Sequence, residues 1–439
     1  MSEEAKDGKD RNLLEEKNTY LSSVMLKNNL LNEDQLHQCI RVQIKPDNRM
    51  DLAQIAESLG FINHDVFTKL SQASTRFVTD RAKAGASGFS INASDEENAQ
   101  VLFKWLDLAT KNRASDIHIM AGEPLTIRKN RKLLPHANTV LDREVTIRVL
   151  TSILNDEQRE TLKRDKCVSI CFDLPGGGRV RASIYYHIRG TNGVFRLIPK
   201  QIPSIGELNM PTVITNLVTY SHGLVMITGP IGCGKTTTLA ALIDIINNQR
   251  KNHIITLEDP IEFVHASKSC LVSQRQVGAH TRNFANALRA ALREDPDVIV
   301  VGEMRDVETA RLAITAAETG HLVFTTLHTE DAIRSINRVL DMFPYDEQPQ
   351  IRTMLSESLR GVISQQLLPR LDTDGLIPIV EIMFNQSGIA NLIRERKLYQ
   401  MKNLLKLTSD VGNISLEDYA SKLYWNNIIA RPSHLGVAE

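Results

Sequence analysis

Hydrophobic positions along the chain change their period several times, and each change marks a different kind of element. Leu21, Met25, Leu30, Leu31, Leu36 and Ile40 recur at helical spacing, followed by a looser set at Leu52, Ile55, Leu59, Phe61, Ile62, Phe67 and Leu70. Two short helix-turn-helix units within residues 18–80 would bury them. The period then vanishes. Lys83-Ala-Gly-Ala-Ser-Gly-Phe-Ser, running on to Ser94-Asp-Glu-Glu97, is small and polar and predicts a linker over 81–97. Residues 99–112 return to an amphipathic helix, after which Ile117–Met120 and Leu125–Arg128 alternate like strands of a half-exposed sheet. A helix over Glu144–Leu162 and strands at Cys167–Phe172, Arg179–Tyr186 and Val194–Ile198 complete an antiparallel α+β domain over 98–200.

Beyond an interdomain linker at 201–220 the pattern becomes short apolar runs separated by helical stretches. Leu224–Ile227, Ile254–Leu257, Val298–Val301 and the run between His321 and His328 are apolar on both sides, as strands buried in a parallel sheet must be. Between them Leu239, Leu242, Ile243 and Ile246 mark one helix, and Phe284, Leu288, Ala291 and Leu292 a second. A third spans Val307–Thr319, where Ala310, Ala313, Ala316 and Ala317 allow close approach to the sheet. This predicts an α/β domain over 221–405. C-terminal helices and a tail occupy 406–439, with a last helix pair over Leu416–Ile429. Residues 1–17 are charged, lack aromatics and read as a disordered lead-in.

Composition narrows the function classes. Lys+Arg and Asp+Glu both count 52, so no net field draws the protein to nucleic acid or to anionic lipid. Five scattered cysteines without a preceding signal peptide fit a reducing cytoplasm. Cys167 and Cys171 have no second cysteine pair to complete four ligands, so no zinc site is expected. No apolar run approaches the ~20 residues needed to cross a bilayer.

The chemistry is concentrated after Ile227. Gly229-Pro230-Ile231-Gly232-Cys233-Gly234-Lys235-Thr236-Thr237 follows a strand and opens a helix. In that context the glycines let backbone N–H groups cradle a polyphosphate. Lys235 adds a point charge for the β/γ-phosphates, Thr236 would hold Mg²⁺, and the helix presents its positive end. Glu258-Asp-Pro-Ile-Glu262 and Glu303 come at the carboxyl ends of further strands, which in a doubly wound sheet share one edge with the phosphate loop. Glu258 could orient Mg²⁺ or water there. Glu303, the first acid after a strand that ends in Gly302, is the candidate for polarising the attacking water. His328, also at a carboxyl end, could sense the γ-phosphate. His321 lies an odd number of residues away, which argues against a shared metal. Arg179 and Arg181 share one strand face and Arg189 and Arg196 lie beyond the turn; four arginines within 18 residues, beside a nucleotide domain, predict a phosphate clamp.

The ordered stretches ASDIHIMAG, GPIGCGKTTTLAALID, TLEDPIEFVH, ALRAALREDPDVIVVGEMRD, TAAETGHLVFTTLHT and MLSESLRGVISQQLL closely resemble the type IV pilus retraction ATPases, the PilT-like branch of the secretion ATPase superfamily. The resemblance covers residues 99 to about 420. It implies a homohexamer of RecA-like P-loop motor domains, each preceded by an α+β PAS-like domain, with ATP held between the two domains of a subunit. It makes Glu258 and its neighbours the acidic box, Glu303 the Walker B glutamate and His321 and His328 the histidine box. Arg181 and Arg196 become nucleotide-contacting arginines, Arg196 in GVFRLIP matching best. The implied motor is cytoplasmic and peripheral at the inner face of the cytoplasmic membrane. It would act on an inner-membrane pilus platform protein, beside a second pilus ATPase, without touching nucleic acid. Ser387-Gly-Ile-Ala-Asn-Leu-Ile-Arg-Glu395 is close to the retraction motif AIRNLIRE.

The sequence also departs from the family. Cys233 stands where the family usually has Ser. The helical N-terminal module resembles that of assembly and type II secretion ATPases, some of which bind cyclic di-GMP. Here Tyr20, Ser22 and Asn29 replace motif residues although Gln43 is kept, which favours a plain interaction module. Assembly or type II secretion therefore stays open beside retraction, as does a nonhydrolytic accessory ring. The absence of an N-K-x-D element argues against a GTPase.

Overall fold

In the computed structural model, which describes residues 17–43 other than 19, 23, 27 and 29, then 50–86 and 94–432, the N-terminal apolar positions close on one another. Leu21, Met25, Leu31, Leu36, Ile55 and Leu70 form a small core among α1 (Glu33–Gln43), α2 (Leu52–Ser58) and α3 (His64–Ala86). The lead-in expected over 1–17 lies outside the described residues, save Lys17.

Both ends of the expected linker are helical instead. α3 is 23 residues long and continues to Ala86; alanine is the best helix former, so a small-residue stretch need not be open chain. On the other side Asp95, Glu96 and Glu97 form the first turn of α4 (Asp95–Lys111), where Ser94 and Glu97 make a capping box.

Six strands follow: β1 (Asp116–Ile119), β2 (Pro124–Lys129), β3 (Lys132–Val140), β4 (Cys167–Asp173), β5 (Arg179–His187) and β6 (Gly190–Ile198). They pair antiparallel in the order β3-β2-β1-β6-β5-β4. α4, α5 (Arg143–Thr151) and α6 (Asp156–Asp165) complete this layer, with Leu102, Leu106, Val149, Leu150, Ile184 and Phe195 in its core. The single helix expected over Glu144–Leu162 is thus two. Asn155 and Gln158 form a second capping box that starts α6. β3, with Leu133 and Leu134 exposed, is an addition to the strands the sequence suggested.

The second sheet contains β7 (Gly223–Thr228), β8 (His253–Glu258), β9 (Leu271–Gln276), β10 (Val298–Val301), β11 (Leu322–Leu327), β12 (Leu359–Pro369) and β13 (Leu376–Phe384), in the order β13-β12-β7-β11-β10-β8-β9. All neighbours are parallel except β12 and β13. The helices are α7 (Lys235–Gln249), α8 (Phe284–Ala291), α9 (Val307–Glu318), α10 (Ala332–Asp341), α11 (Gln348–Ser358), α12 (Ser387–Arg394), α13 (Met401–Leu407) and α14 (Leu416–Trp425). Alternation along β7 explains its apolar run. Leu224 and Met226 enter one core layer with Ala310, Ala313 and Ala317 of α9, whereas Val225 and Ile227 enter another with Leu239, Leu242 and Ile246 of α7.

Residues 201–220 do not cross freely between the sheets: Ile205, Met210, Ile214, Leu217 and Val218 join that second layer. At the C-terminus one helix, α14, stands where a pair was expected, and Ile429 makes an isolated antiparallel bridge with Arg370. The parallel arrangement gathers the ends of β7, β8, β10 and β11 on one edge.

Candidate active site

The loop between β7 and α7 is built around glycines whose backbone conformation other residues rarely adopt. Gly229, Gly232 and Gly234 all have positive φ. A β-carbon on Gly229 would overlap the Gln365 carbonyl and lie 2.7 Å from Cys233 Sγ. α7 starts at Gly234 with no side-chain cap, whereas Asn283, Asp306 and Asp331 cap α8, α9 and α10 with side-chain oxygens. The first N–H groups of α7 are therefore left for an oxygen from elsewhere, with the helix dipole behind them. This is the chemistry of a phosphate cradle.

Lys235, 8 % exposed, folds back into this loop. Its ammonium donates to the Gly229 carbonyl at 2.7 Å and the Pro230 carbonyl at 3.0 Å, and meets His328 Nδ1 at 3.3 Å. Burial lowers its pKa, opposed by Cys233 and Glu303. An ammonium only donates, so Nδ1 accepts and the ring proton is assigned to Nε2. That nitrogen lies 3.1 Å from Glu303 Oε1, and the other Glu303 oxygen meets Arg305 Nη2 at 2.7 Å. Burial would raise the Glu303 pKa, but the Arg305 and His328 contacts outweigh it and hold the carboxylate ionised. The result is one continuous chain, Lys235–His328–Glu303–Arg305, along the sheet edge.

Gly302 fills the place after β10 without a side chain, and a β-carbon there would stand 3.0 Å from the Leu257 carbonyl. This crowding explains why the acid comes one residue later. Thr326 Oγ1 donates to the Gly302 carbonyl at 2.5 Å and ties the β10 and β11 ends together.

Glu258 ends β8 on the same edge. Its Oε1 accepts from Thr256 Oγ1 at 2.6 Å and Gln274 Nε2 at 3.0 Å. Both donors are neutral. Burial raises its pKa and nearby Glu262 adds to the rise, leaving a carboxylate whose charge a cation would compensate. Thr236 stands on the first turn of α7, and Thr237 follows it.

The arginines are arranged as period two requires but hold carboxylates. Arg181, Arg196, Asp116 and Arg128 are successive cross-strand partners on β5, β6, β1 and β2. Arg196 Nε donates to Asp116 Oδ1 at 2.9 Å, Arg189 pairs with Glu123 at 2.5 Å, and Arg179 pairs with Asp173 at 3.3 Å. Arg181 reaches across to Glu262 at 3.6 Å, beside a cleft of about 240 Å³ lined in part by Arg179, Lys200, Glu262 and Phe263. Arg196 is thus drawn to Asp116, and not to the phosphate loop.

His321 corrects its expected place at the nucleotide. It precedes β11, with Nδ1 3.0 Å from the Ala316 carbonyl, so it sits at the opposite edge of the sheet, about 23 Å from His328 at ~3.3 Å per residue. Among the described residues no group of three or more His, Cys, Asp or Glu could hold a metal ion.

Three contributors were not singled out from sequence. Gln365 of β12 donates to the Cys233 carbonyl at 2.6 Å and braces the loop from behind. Arg305 orients Glu303, and Gln274 of β9 holds Glu258. Two adjacent glutamines inside an apolar run, Gln365-Gln366, were the available signal for the first.

Similarity to known proteins covers both sheets. A family model for type II/IV secretion system proteins matches residues 92–400. The type IV pilus retraction ATPase PilT of Pseudomonas aeruginosa is 44% identical over 326 residues, 74% of this chain and 94% of that protein. A twitching motility protein of Neisseria gonorrhoeae is 46% identical over 282 residues, 64% of this chain and 75% of that protein. A crystal structure of the pilus retraction motor PilT with bound ADP superposes with a TM-score of 0.69 at 40% identity, covering 76% of this chain and 96% of that one.

Proposed function

The chain belongs to the type II/IV secretion system protein family, and from that premise we propose how its site couples ATP hydrolysis to pilus retraction. It is an ATPase and a pilus retraction motor. The observation that carries the mechanism is the Lys235–His328–Glu303–Arg305 chain beside an uncapped helix start.

Gly229, Gly232, Cys233 and Gly234 supply the backbone cradle, Pro230 fixes the turn without an N–H of its own, and Lys235, Thr236 and Thr237 close the loop over the β- and γ-phosphates. When the nucleotide enters, its phosphates outcompete the loop carbonyls for the Lys235 ammonium, and the His328 ring, released from that ammonium, is left at the strand end to sense the γ-phosphate. Glu303, held ionised by Arg305, accepts a hydrogen bond from the attacking water and aligns it for in-line displacement. Catalysis rests on positioning and charge neutralisation, because phosphoryl transfer asks for little covalent chemistry from the protein.

Thr236 and Glu258 would hold Mg²⁺, whose role is to neutralise phosphate charge; a hydroxyl oxygen and a carboxylate lacking a cationic partner suit a hard cation. Arg181 and Arg196 would exchange Glu262 and Asp116 for nucleotide oxygens as the two sheets close. His321, on the far edge, would not serve the nucleotide of its own chain.

We read the antiparallel sheet as a PAS-like domain over 98–200 and the parallel one as a RecA-like domain over 221–405. The motor would work as a homohexamer on an inner-membrane platform protein. No helix among the described residues is long and apolar enough to cross a membrane, so membrane contact would come through partners. The helices before residue 92 precede the family match and serve as an interaction module.

Turnover of Mg-ATP by the purified chain tests this reading. Glu303→Gln should keep nucleotide binding while losing about 10²–10⁴ in turnover, and Lys235→Ala should lose binding. Hydrolysis by Lys235→Ala at the wild-type rate would overturn it.

A further inference from the structure

The β2–β3 hairpin turns on Asn130 and Arg131, flanked by the paired residues Lys129 and Lys132. Both turn residues have positive φ, +47° and +68°. This is the left-handed pair of a type I′ turn, for which Asn-Gly is the favoured sequence. Asparagine at the first position tolerates that backbone; arginine at the second is strained by its β-carbon. Arg131 is also exposed, and among the described residues its guanidinium has no carboxylate partner. Neither backbone preference nor packing accounts for an arginine here.

The position of the turn does. β12 pairs with β7 at Ser364 and Thr228. Where β7 gives way to the phosphate loop, β12 continues from Gln365 to Pro369 and projects about 16 Å past the sheet edge at ~3.3 Å per residue. At the tip of the β12–β13 hairpin, Asp374 accepts from Lys129 Nζ at 2.7 Å and from Asn130 Nδ2. This clip pins the β2–β3 turn to the hairpin that rises beside the phosphate loop, and Arg131 is the next residue. Its charge also reaches Cys233 in the middle of the loop: burial raises that thiol's pKa, and Lys235 and, more weakly, Arg131 oppose the rise.

We propose that Arg131 is a further nucleotide contact, bringing a guanidinium from the β2–β3 turn to the phosphates seated in the loop of the same chain, at a distance set by the Lys129–Asn130–Asp374 clip. The inference rests on the nucleotide-site reading above. Lys235 provides one point charge from below the phosphates, whereas a guanidinium from above adds planar, paired donors. Strain at +68° is then the cost of carrying that group on a turn clipped beside the site.

The test titrates the full-length chain with a fluorescent ADP analogue. Arg131→Gly is the informative variant, since glycine relieves the turn: Tm should stay equal or rise while Kd weakens about tenfold, the scale of one lost charge-assisted contact. Arg131→Lys should recover part of the affinity, and Asp374→Asn should weaken binding in the same direction as Arg131→Gly. Lys235→Ala separates this proposal from its premise. If Lys235→Ala loses binding but Arg131→Gly stays within about twofold of wild type, the Arg131 contact is overturned and the site stands. If Lys235→Ala still binds like wild type, the site reading falls and the proposal falls with it.

Discussion

Glu381 on β13 offers a prediction whose sign and size follow from its surroundings. Its carboxylate accepts the Ala332 N–H at 2.8 Å, at the start of the helix that follows His328. Burial pushes its pKa from 4.5 up to about 7; the Ala332 N–H and Lys402 oppose the rise, and Asp331 and Glu417 add to it. Folding therefore favours the protonated form. This group's contribution to stability is fully present below pH 4.5, is lost as pH rises through about 7, and then stays constant.

A gap of about 2.5 pH units corresponds to roughly 3 kcal/mol above pH 7 and to about 1 kcal/mol at pH 5. Glu381→Gln keeps an oxygen for Ala332 and removes the charge, so it should stabilise the motor far more at pH 8 than at pH 5. At ~2–4 °C per kcal/mol for a domain of this size, the Tm gain should be several degrees larger at pH 8. Thermal melts of both proteins at the two pH values measure it. An equal Tm difference at both pH values, or a glutamine variant that melts lower than wild type at pH 8, would refute the assignment of a buried, reluctantly ionised carboxylate.

Two further substitutions probe the loop. Gly229→Ala places a β-carbon against the Gln365 carbonyl and Cys233 Sγ, and nucleotide affinity measured by titration should fall at least tenfold, on the order of the strain such a clash stores. Gln365→Leu removes the donor to the Cys233 carbonyl; an unsatisfied buried carbonyl costs about 1–3 kcal/mol. Nucleotide binding should weaken accordingly, and unchanged affinity would mean that β12 does not brace the loop.

The parts of the molecule legible from sequence were those where local pattern and tertiary role agree. Leu224–Ile227, the glycines after it and the helical period from Leu239 all report on their own neighbourhood. β12 was harder because Ser364 and Gln365 are polar yet buried; their partners, Thr228 and Cys233, lie on other elements and only the fold brings them together. The break between α5 and α6 and the start of α4 were written in capping boxes, Asn155 with Gln158 and Ser94 with Glu97, but apolar periodicity alone hides such signals. The arginine stripe followed from strand alternation, whereas its pairing with Asp116 depends on β1 lying beside β6. His321 shows the converse limit: the strand pattern already put it at the end opposite His328, and only the family resemblance drew it to the nucleotide.

The central claim is that Glu303 drives a retraction motor, and surface pili on cells whose only copy carries Glu303→Gln test it most directly. The substitution preserves the shape of the site and removes the carboxylate that orients water. More pili than wild type, with twitching lost, is the predicted result; bald cells would mean that the same engine drives assembly, and would contradict the account.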